Sequence, residues 1–293
     1  MILHAHTVVP RTWHNLRLFY KSRQLFRDAF ADGYRAWVYP FFGSETFIPR
    51  NGTNPVRVPR EYWTMLPTAS RLVMIGAHPR WVEGLLNVRY DGIQLVSPPL
   101  GKNVGNFLRE IFVEDVYRIG TRSLKGKVVM DIGAYIGDSS IAFARRGATV
   151  HAFEPFPEYW TYLADNVRLN GLDGQVVLHK AGLADRDMPA DADGIRLVDA
   201  IRYLDEHHIE RVDILKLDCE GCEYELFKND WLLTRLQPSE IIMEYHRGGE
   251  VFYRFFRERG YAVVWPERVN KVGYMYIAAS HDMEHACKGP KTS

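Results

Sequence analysis

The residues best suited to chemistry lie in two short stretches. LKLDCEGCE sets Lys216 and Asp218 two apart, with Glu220 and Glu223 just beyond, and IIMEYH sets Glu244 and His246 two apart. On a strand, a spacing of two puts side chains on one face. Both stretches read as apolar strands running out into polar residues. A carboxylate and an imidazole meeting at neighbouring strand ends can take a proton from a hydroxyl. Asp218 and His246 are therefore the candidate general bases, with Glu220, Glu244 and Lys216 orienting groups nearby. Asp218, Glu220, Glu244 and His246 are also a donor set for Mg²⁺ or Mn²⁺, which would acidify a hydroxyl directly. Their spacing matches no dedicated metal motif, so the metal-free reading is preferred. Glu223 is read as a charge stabilising a helix start. Cys219 and Cys222 form a C-x-x-C pair. Burial as small side chains is preferred over a redox or zinc role, because the third cysteine, Cys287, is far away in sequence.

A second constellation precedes these. VVMDIGAYIGDSS ends an apolar run in Asp131 and places Gly133 and Gly137 before an apparent helix. Such a loop brings backbone close to a ligand at a helix N-terminus. The pattern is D-x-G-x-x-x-G, not the G-x-G-x-x-G of dinucleotide binding. A pyrophosphate would be repelled by Asp131, whereas a ligand ammonium would be attracted. The loop residues Gly133, Tyr135, Gly137, Asp138 and Ser139 are assigned with Asp131 to cofactor binding. Glu154, ending VHAFEP, is placed to accept both hydroxyls of a ribose. Phe156 is placed to lie on a purine, and the small residues of HKAGLAD, Ala181 among them, to accept an adenine edge. An ammonium, a ribose and an adenine together describe S-adenosylmethionine, with Asp218 at its methyl end.

VVMDIGAYIGDSS, VHAFEPFPEYWTYLADNVRLNGL, VDILKLDCEGCEYELF and IIMEYH, in that order, resemble the FkbM family of S-adenosylmethionine-dependent methyltransferases over roughly Phe112 to Ser280. The lysine, acid and E-G-x-E of KLDCEGCE carry most of the specificity. The resemblance implies an α/β fold of class I methyltransferase type, a Rossmann-like doubly wound sheet of about seven strands, mostly parallel with the last antiparallel. It also implies O-methylation of a saccharide or small natural product. The chain departs from the family at Cys219 and Cys222, where aliphatic or small residues are usual, and its first hundred residues lie outside the shared region.

The elements that must position these residues follow from periodicity. After Leu124 strands and helices alternate: KVVMDIG, then DSSIAFARRG, ATVHAFEP, PEYWTYLADNVRLNG, QVVLHKAG, a short helix from Asp199 to His207, VDILKLD, CEYELF, SEIIMEY, GEVFYRFFRERG, and the strands YAVVWP and VGYMYIAAS, joined by the polar loop Glu267 to Lys271. Alternation of this kind means a parallel sheet with helices on both faces. The last two strands are suited to an antiparallel hairpin. Before Leu124 the pattern is an N-terminal α+β extension. Apolar residues recur at helical spacing from Trp13 to Tyr34, RLVMIG looks like a strand, LLNVRY-DG-IQLVS like a hairpin, and Phe107 to Ile119 like a helix. The expected domains are 1–123, a lid or oligomer surface that would allow a homodimer, 124–283, the methyltransferase domain, and a tail, 284–293. Trp37, Tyr39, Phe41, Phe42, Trp63 and Trp81 are assigned to a small core in preference to sugar stacking.

The 293 residues are 46% hydrophobic and 25% charged with a formal net charge of +1, the balance of a globular protein without a polyanion-binding field. No nucleic-acid partner is expected, and LDCEG stands where base-amine methyltransferases carry N/D-P-P-Y/F. No run approaches the roughly 18 apolar residues of a membrane span. Peripheral membrane contact through 13–35 is the lesser reading of that helix. The start carries no signal-peptide pattern, and three cysteines do not suggest a secreted disulfide scaffold, so the cytoplasm is expected. The alternatives are an NAD-type oxidoreductase, methylation of a macromolecular acceptor, and a non-catalytic relative.

Overall fold

The computed structural model describes residues 19–37, 43–97, 104–112, 114–120, 122–189, 195–228, 230–264 and 273–279. Tyr39, Phe41, Phe42, Cys287, the loop 267–271 and the tail 284–293 lie outside them, as does the start of the Trp13 helix. The chain divides into two compact units, 1–113 and 114–293. The ten residues 114–123 therefore go with the second unit, whereas the sequence pattern assigns them to the first.

In the first unit, residues 19–21 and α1 (Arg23–Ala29) are helical, so the described part of the predicted helix ends at Ala29, before Tyr34. Its apolar side chains are spent inside the unit. Phe19, Phe26 and Phe30 are buried with Phe47, Trp63, Leu66 and Val73. Trp63 is thus core, and Trp81 stacks on Tyr62 at 6.3 Å. RLVMIG is not a strand. It ends α2 (Leu66–Met74), which buries Leu66, Ala69, Leu72 and Val73 along one side. Four apolar residues in a row do not distinguish strand from helix, and here the i, i+3 and i+7 partners decide. The two-residue strands β1 (Thr46–Phe47) and β2 (Val56–Arg57) pair antiparallel. β3 (His78–Val82), β4 (Leu85–Tyr90) and β5 (Ile93–Ser97) form an antiparallel meander. The β4–β5 hairpin turns as expected on Asp91 (φ 45°) and Gly92 (φ 73°). α3 (Val104–Phe112) stops well short of Ile119. Beyond it Asp115 and Arg118 take positive φ, and the Asp115 carboxylate accepts the Gly120 N–H at 2.9 Å, a side-chain-closed turn that competes with helix.

The second unit is built on a seven-stranded sheet of β6 (Val128–Ile132), β7 (Thr149–Phe153), β8 (Val176–His179), β11 (Ile214–Leu217), β12 (Glu240–Tyr245), β13 (Tyr261–Val264) and β14 (Gly273–Ala279). Their order is β13-β14-β12-β11-β6-β7-β8. β14 alone runs against its neighbours, lying antiparallel between β12 and β13. β11 and most of β6 are buried on both faces, which explains their unbroken apolar runs. Helices α4 (Asp138–Arg145), α5 (Pro157–Leu169), α6 (Ala200–Glu206), α7 (Cys222–Leu226), α8 (Trp231–Leu236) and α9 (Glu250–Glu258) connect the strands. α9 shows how they attach, burying Phe252 and Phe256 four residues apart. Burying two phenylalanines contributes on the order of 3–6 kcal/mol before entropy is counted. The sequence reading misses α8 and the small parallel pair β9 (Gly182–Ala184) and β10 (Leu197–Asp199), each too short for a periodic signal. It does find α6, whose Asp199 cap accepts the Arg202 N–H at 2.8 Å. The sheet is therefore of class I methyltransferase type, with helices and small sheets N-terminal to it. An all-parallel dinucleotide sheet has no antiparallel strand inserted at this place.

Candidate active site

The site grows from the register of β6 on β11, which sets Asp131 opposite Lys216. Both are almost wholly buried. Lys216 Nζ lies 2.9 Å from Asp131 Oδ1, an ion-pair distance that is off the hydrogen-bond direction, and donates to the Gly133 carbonyl at 2.8 Å. Asp131 Oδ2 accepts the Ser139 and Ser140 hydroxyls at 2.7 and 2.6 Å. Burial alone would lower the Lys216 pKa, but Asp131 and then Asp218 outweigh it, and the net shift is upward. Two expectations change. The positive partner of Asp131 is a side chain of the chain itself, so this carboxylate anchors the start of α4 and does not face outward. Lys216, expected among the catalytic groups, is a buried post under the loop.

The two glycines are also held by packing inside the protein. Gly133 has φ 82°, and a Cβ there would stand 1.8 Å from the Asp218 carbonyl oxygen. Gly137 has φ 91°, and its Cβ would meet Leu163 Cδ1 at 2.9 Å. The close approach that demands glycine is between the loop and its own protein.

Glu154 ends the next strand, 3% exposed. Its Oε2 accepts the Tyr135 N–H and its Oε1 the Phe156 N–H, each at 2.8 Å. Each oxygen keeps a lone pair for a further donor. Burial raises its pKa to about 7 against those two hydrogen bonds. Tyr135 sits at φ 50° with its ring edge-on to Tyr159 at 4.5 Å, and Phe156 is 40% exposed. Ala181 is buried just past β8. Asp138 opens α4, and burial, partly offset by Lys216, raises its pKa to about 7. Ser139 is buried and tied to Asp131.

The other half of the site lies past β11 and β12. Asp218 Oδ2 accepts the Tyr117 hydroxyl at 3.0 Å. Burial, and then Asp218, push the Tyr117 phenol well above its ordinary pKa, so it stays a donor. His246 Nδ1 stands 3.0 Å from Glu223 Oε1, which also takes the His246 backbone N–H at 3.3 Å. Glu223 is fully buried, and its Oε2 accepts the Gly221 N–H at 2.9 Å. It is a support for His246 and not merely a helix-start charge. His246 Nε2 faces Glu220 Oε2 at 3.5 Å, Asp218 Oδ1 at 3.9 Å and Glu244 Oε2 at 4.0 Å. Glu220 is mostly exposed, while Asp218 and Glu244 are largely covered. Between these residues Cys219 and Cys222 are joined by a disulfide, across a turn in which Glu220 and Gly221 both take positive φ. This replaces the expectation of two separate buried cysteines. Sequence reasoning missed Tyr117, which lies 101 residues from its partner with no local signal.

Residues 131–263 match the family model described as the methyltransferase FkbM domain. Over this segment, under half of the chain, the protein is similar to methyltransferase FkbM domains. The activity class that goes with it is S-adenosylmethionine-dependent methyl transfer. The FkbM segment takes in Asp131, the glycine loop, Glu154, the disulfide turn and the Glu244–His246 pair, but not Tyr117. No curated protein sequence matches the chain. Among solved structures, the chain is similar to an S-adenosylmethionine-dependent methyltransferase from Agrobacterium tumefaciens, with 13% identity, 68% of this chain and 71% of that one covered, and TM-score 0.47. It is also similar to methyltransferase FkbM from Methylobacillus flagellatus KT, with 19% identity, coverages of 53% and 44%, and TM-score 0.42. A third similar structure is the tRNA m1G37 methyltransferase of M. jannaschii, with 13% identity, coverages of 67% and 55%, and TM-score 0.43.

Proposed function

We propose that the domain methylates a hydroxyl oxygen of a saccharide or small natural product. In this reading, Glu154, Phe156, Tyr135 and Ala181 hold the nucleoside end of S-adenosylmethionine, and Asp138, Ser139 and the loop around Gly133 and Gly137 hold its amino-acid end. The residues fit such a ligand. Both Glu154 oxygens keep acceptor capacity for a diol, and the Phe156 ring is open. Asp138 is a buried acid that a cationic group would ionise. Bound there, S-adenosylmethionine supplies an electrophilic methyl group.

Asp218 and His246 border the acceptor side. With S-adenosylmethionine bound, the acceptor oxygen would take the methyl carbon as the carbon–sulfur bond breaks and S-adenosylhomocysteine leaves, and these residues would hold the hydroxyl and receive its proton. The observation that carries the choice of a hydroxyl is the convergence of Asp218, Glu244 and His246 at adjoining strand ends. A hydroxyl has to lose a proton in the transfer, and positioned acid–base groups contribute typically ~10²–10⁴-fold to such a step.

The test is calorimetry of S-adenosylhomocysteine on the full chain, followed by methyl-labelled turnover on panels of glycosides, small phenols, alcohols and RNA. Saturable binding with label in an ether linkage is expected. Label on nitrogen overturns the hydroxyl reading, and label in RNA only overturns the small-molecule acceptor.

A further inference from the structure

Three donor atoms from three residues surround one point beside Asp218. His246 Nε2 lies 3.9 Å from Asp218 Oδ1 and 4.0 Å from Glu244 Oε2, and one ligand atom from each of the three lies within 4.8 Å of the others. These separations are too long for hydrogen bonds. They are close to those of ligands sharing an ion, since two donors each ~2.1 Å from a metal stand ~3 Å apart at right angles and ~4.2 Å apart when opposed. Movements of under an ångström complete the ring.

The set is more than a group of acids, because its one nitrogen is aimed. Fully buried Glu223 takes the Nδ1 side of His246 and its backbone N–H, which leaves Nε2 facing Asp218 and Glu244. A carboxylate behind a histidine in this way is the usual outer support of a metal-bound imidazole. Tyr117 does the same for Asp218, occupying Oδ2 and leaving Oδ1 toward His246. Glu220 Oε2, 3.5 Å from Nε2, makes a third carboxylate facing this nitrogen. That field favours a divalent cation.

We infer that Asp218, Glu244 and His246 bind a divalent cation of the Mn²⁺ class. One imidazole with two carboxylates suits a first-row transition ion better than Mg²⁺, which prefers oxygen alone. The inference rests on the proposed acceptor side of a methyltransferase. There the ion lowers the pKa of a coordinated hydroxyl, His246 serves as a ligand, and exposed Glu220 receives the proton.

The experiment titrates Mn²⁺ into EDTA-stripped full-length protein, reading free Mn²⁺ by electron paramagnetic resonance, with S-adenosylhomocysteine calorimetry on the same samples. One saturable Mn²⁺ per chain is expected, weakened at least tenfold by Glu244→Gln and by His246→Gln. Glu223→Gln should weaken it by ~10–100-fold, the usual effect of losing an outer-shell partner, and Mn²⁺ should broaden the His246 ring resonances less in that variant. The absence of saturable Mn²⁺ binding in protein that still binds S-adenosylhomocysteine overturns the cation and leaves the methyltransferase reading standing. Mn²⁺ binding indifferent to Glu244→Gln and His246→Gln in folded protein overturns the ligand set. Mn²⁺ bound as predicted with no S-adenosylhomocysteine binding overturns the methyltransferase reading instead.

Discussion

Asp131 and Lys216 face each other across neighbouring parallel strands, with Nζ 2.9 Å from Oδ1 and both side chains sealed from water. Breaking a buried pair by removing one partner strands the other charge, at a cost of roughly 3–5 kcal/mol, while replacing both with apolar groups is often neutral. Lys216→Met should therefore destabilise the protein by about that amount in urea unfolding, and Lys216→Met with Asp131→Leu should recover a large part of it. A loss in the double variant equal to the sum of the Lys216→Met and Asp131→Leu losses would show that the two charges do not act as a pair.

Tyr117→Phe removes the hydroxyl that Asp218 accepts. A hydrogen bond to a charged group is worth ~1.5–3 kcal/mol, so turnover should fall at least about tenfold while S-adenosylhomocysteine affinity stays within a factor of two. A matched loss in both would place Tyr117 with the cofactor half of the site.

The pH dependence follows from Glu154 and Asp138, whose pKa values burial raises from 4.5 and 3.8 to about 7. An acid raised on folding holds a proton in the native state that the unfolded chain has already released. These two groups therefore favour the fold fully below pH about 4 and lose that contribution as pH rises to about 7. Ligand binding should run the other way, because the ionised Glu154 is the better acceptor for a diol. S-adenosylhomocysteine should bind more tightly at pH 8 than at pH 6, with a midpoint near 7, and Glu154→Gln should weaken and flatten that curve. A wild-type affinity that does not vary across this range would contradict the assignment of Glu154.

The Cys219–Cys222 bond closes a loop of only four residues. The chain-entropy relation gives such a loop at most about 2 kcal/mol, so Cys222→Ser should lower stability modestly. Its larger effect should be on the turn carrying Glu220 and Glu223. Reduction is expected to lower turnover more than it lowers the unfolding midpoint, and alkylation under denaturing, non-reducing conditions should leave both cysteines unmodified.

The strand–helix alternation, the β4–β5 hairpin and the helix capped by Asp199 were legible because each rests on local chemistry: periodicity, a turn dipeptide, a capping carboxylate. Asp131, Glu154, Asp218 and His246 could be picked out as acids and an imidazole at strand ends. Their partners could not. That Lys216 neutralises Asp131 depends on which strands are neighbours, and Glu223 looks like any helix-start acid until β12 brings His246 to it. RLVMIG read as a strand because the residues that make it helical, Leu66 and Ala69, lie upstream of the apolar run.

The Gly133 backbone is pressed against the Asp218 carbonyl so closely that not even a methyl group fits between them. The segment proposed to grip the methyl donor and the one proposed to meet the recipient thus share a single packing contact. Any side chain at position 133 would have to displace the Asp218 carbonyl, so in the proposed reading a single substitution there disturbs both compartments at once.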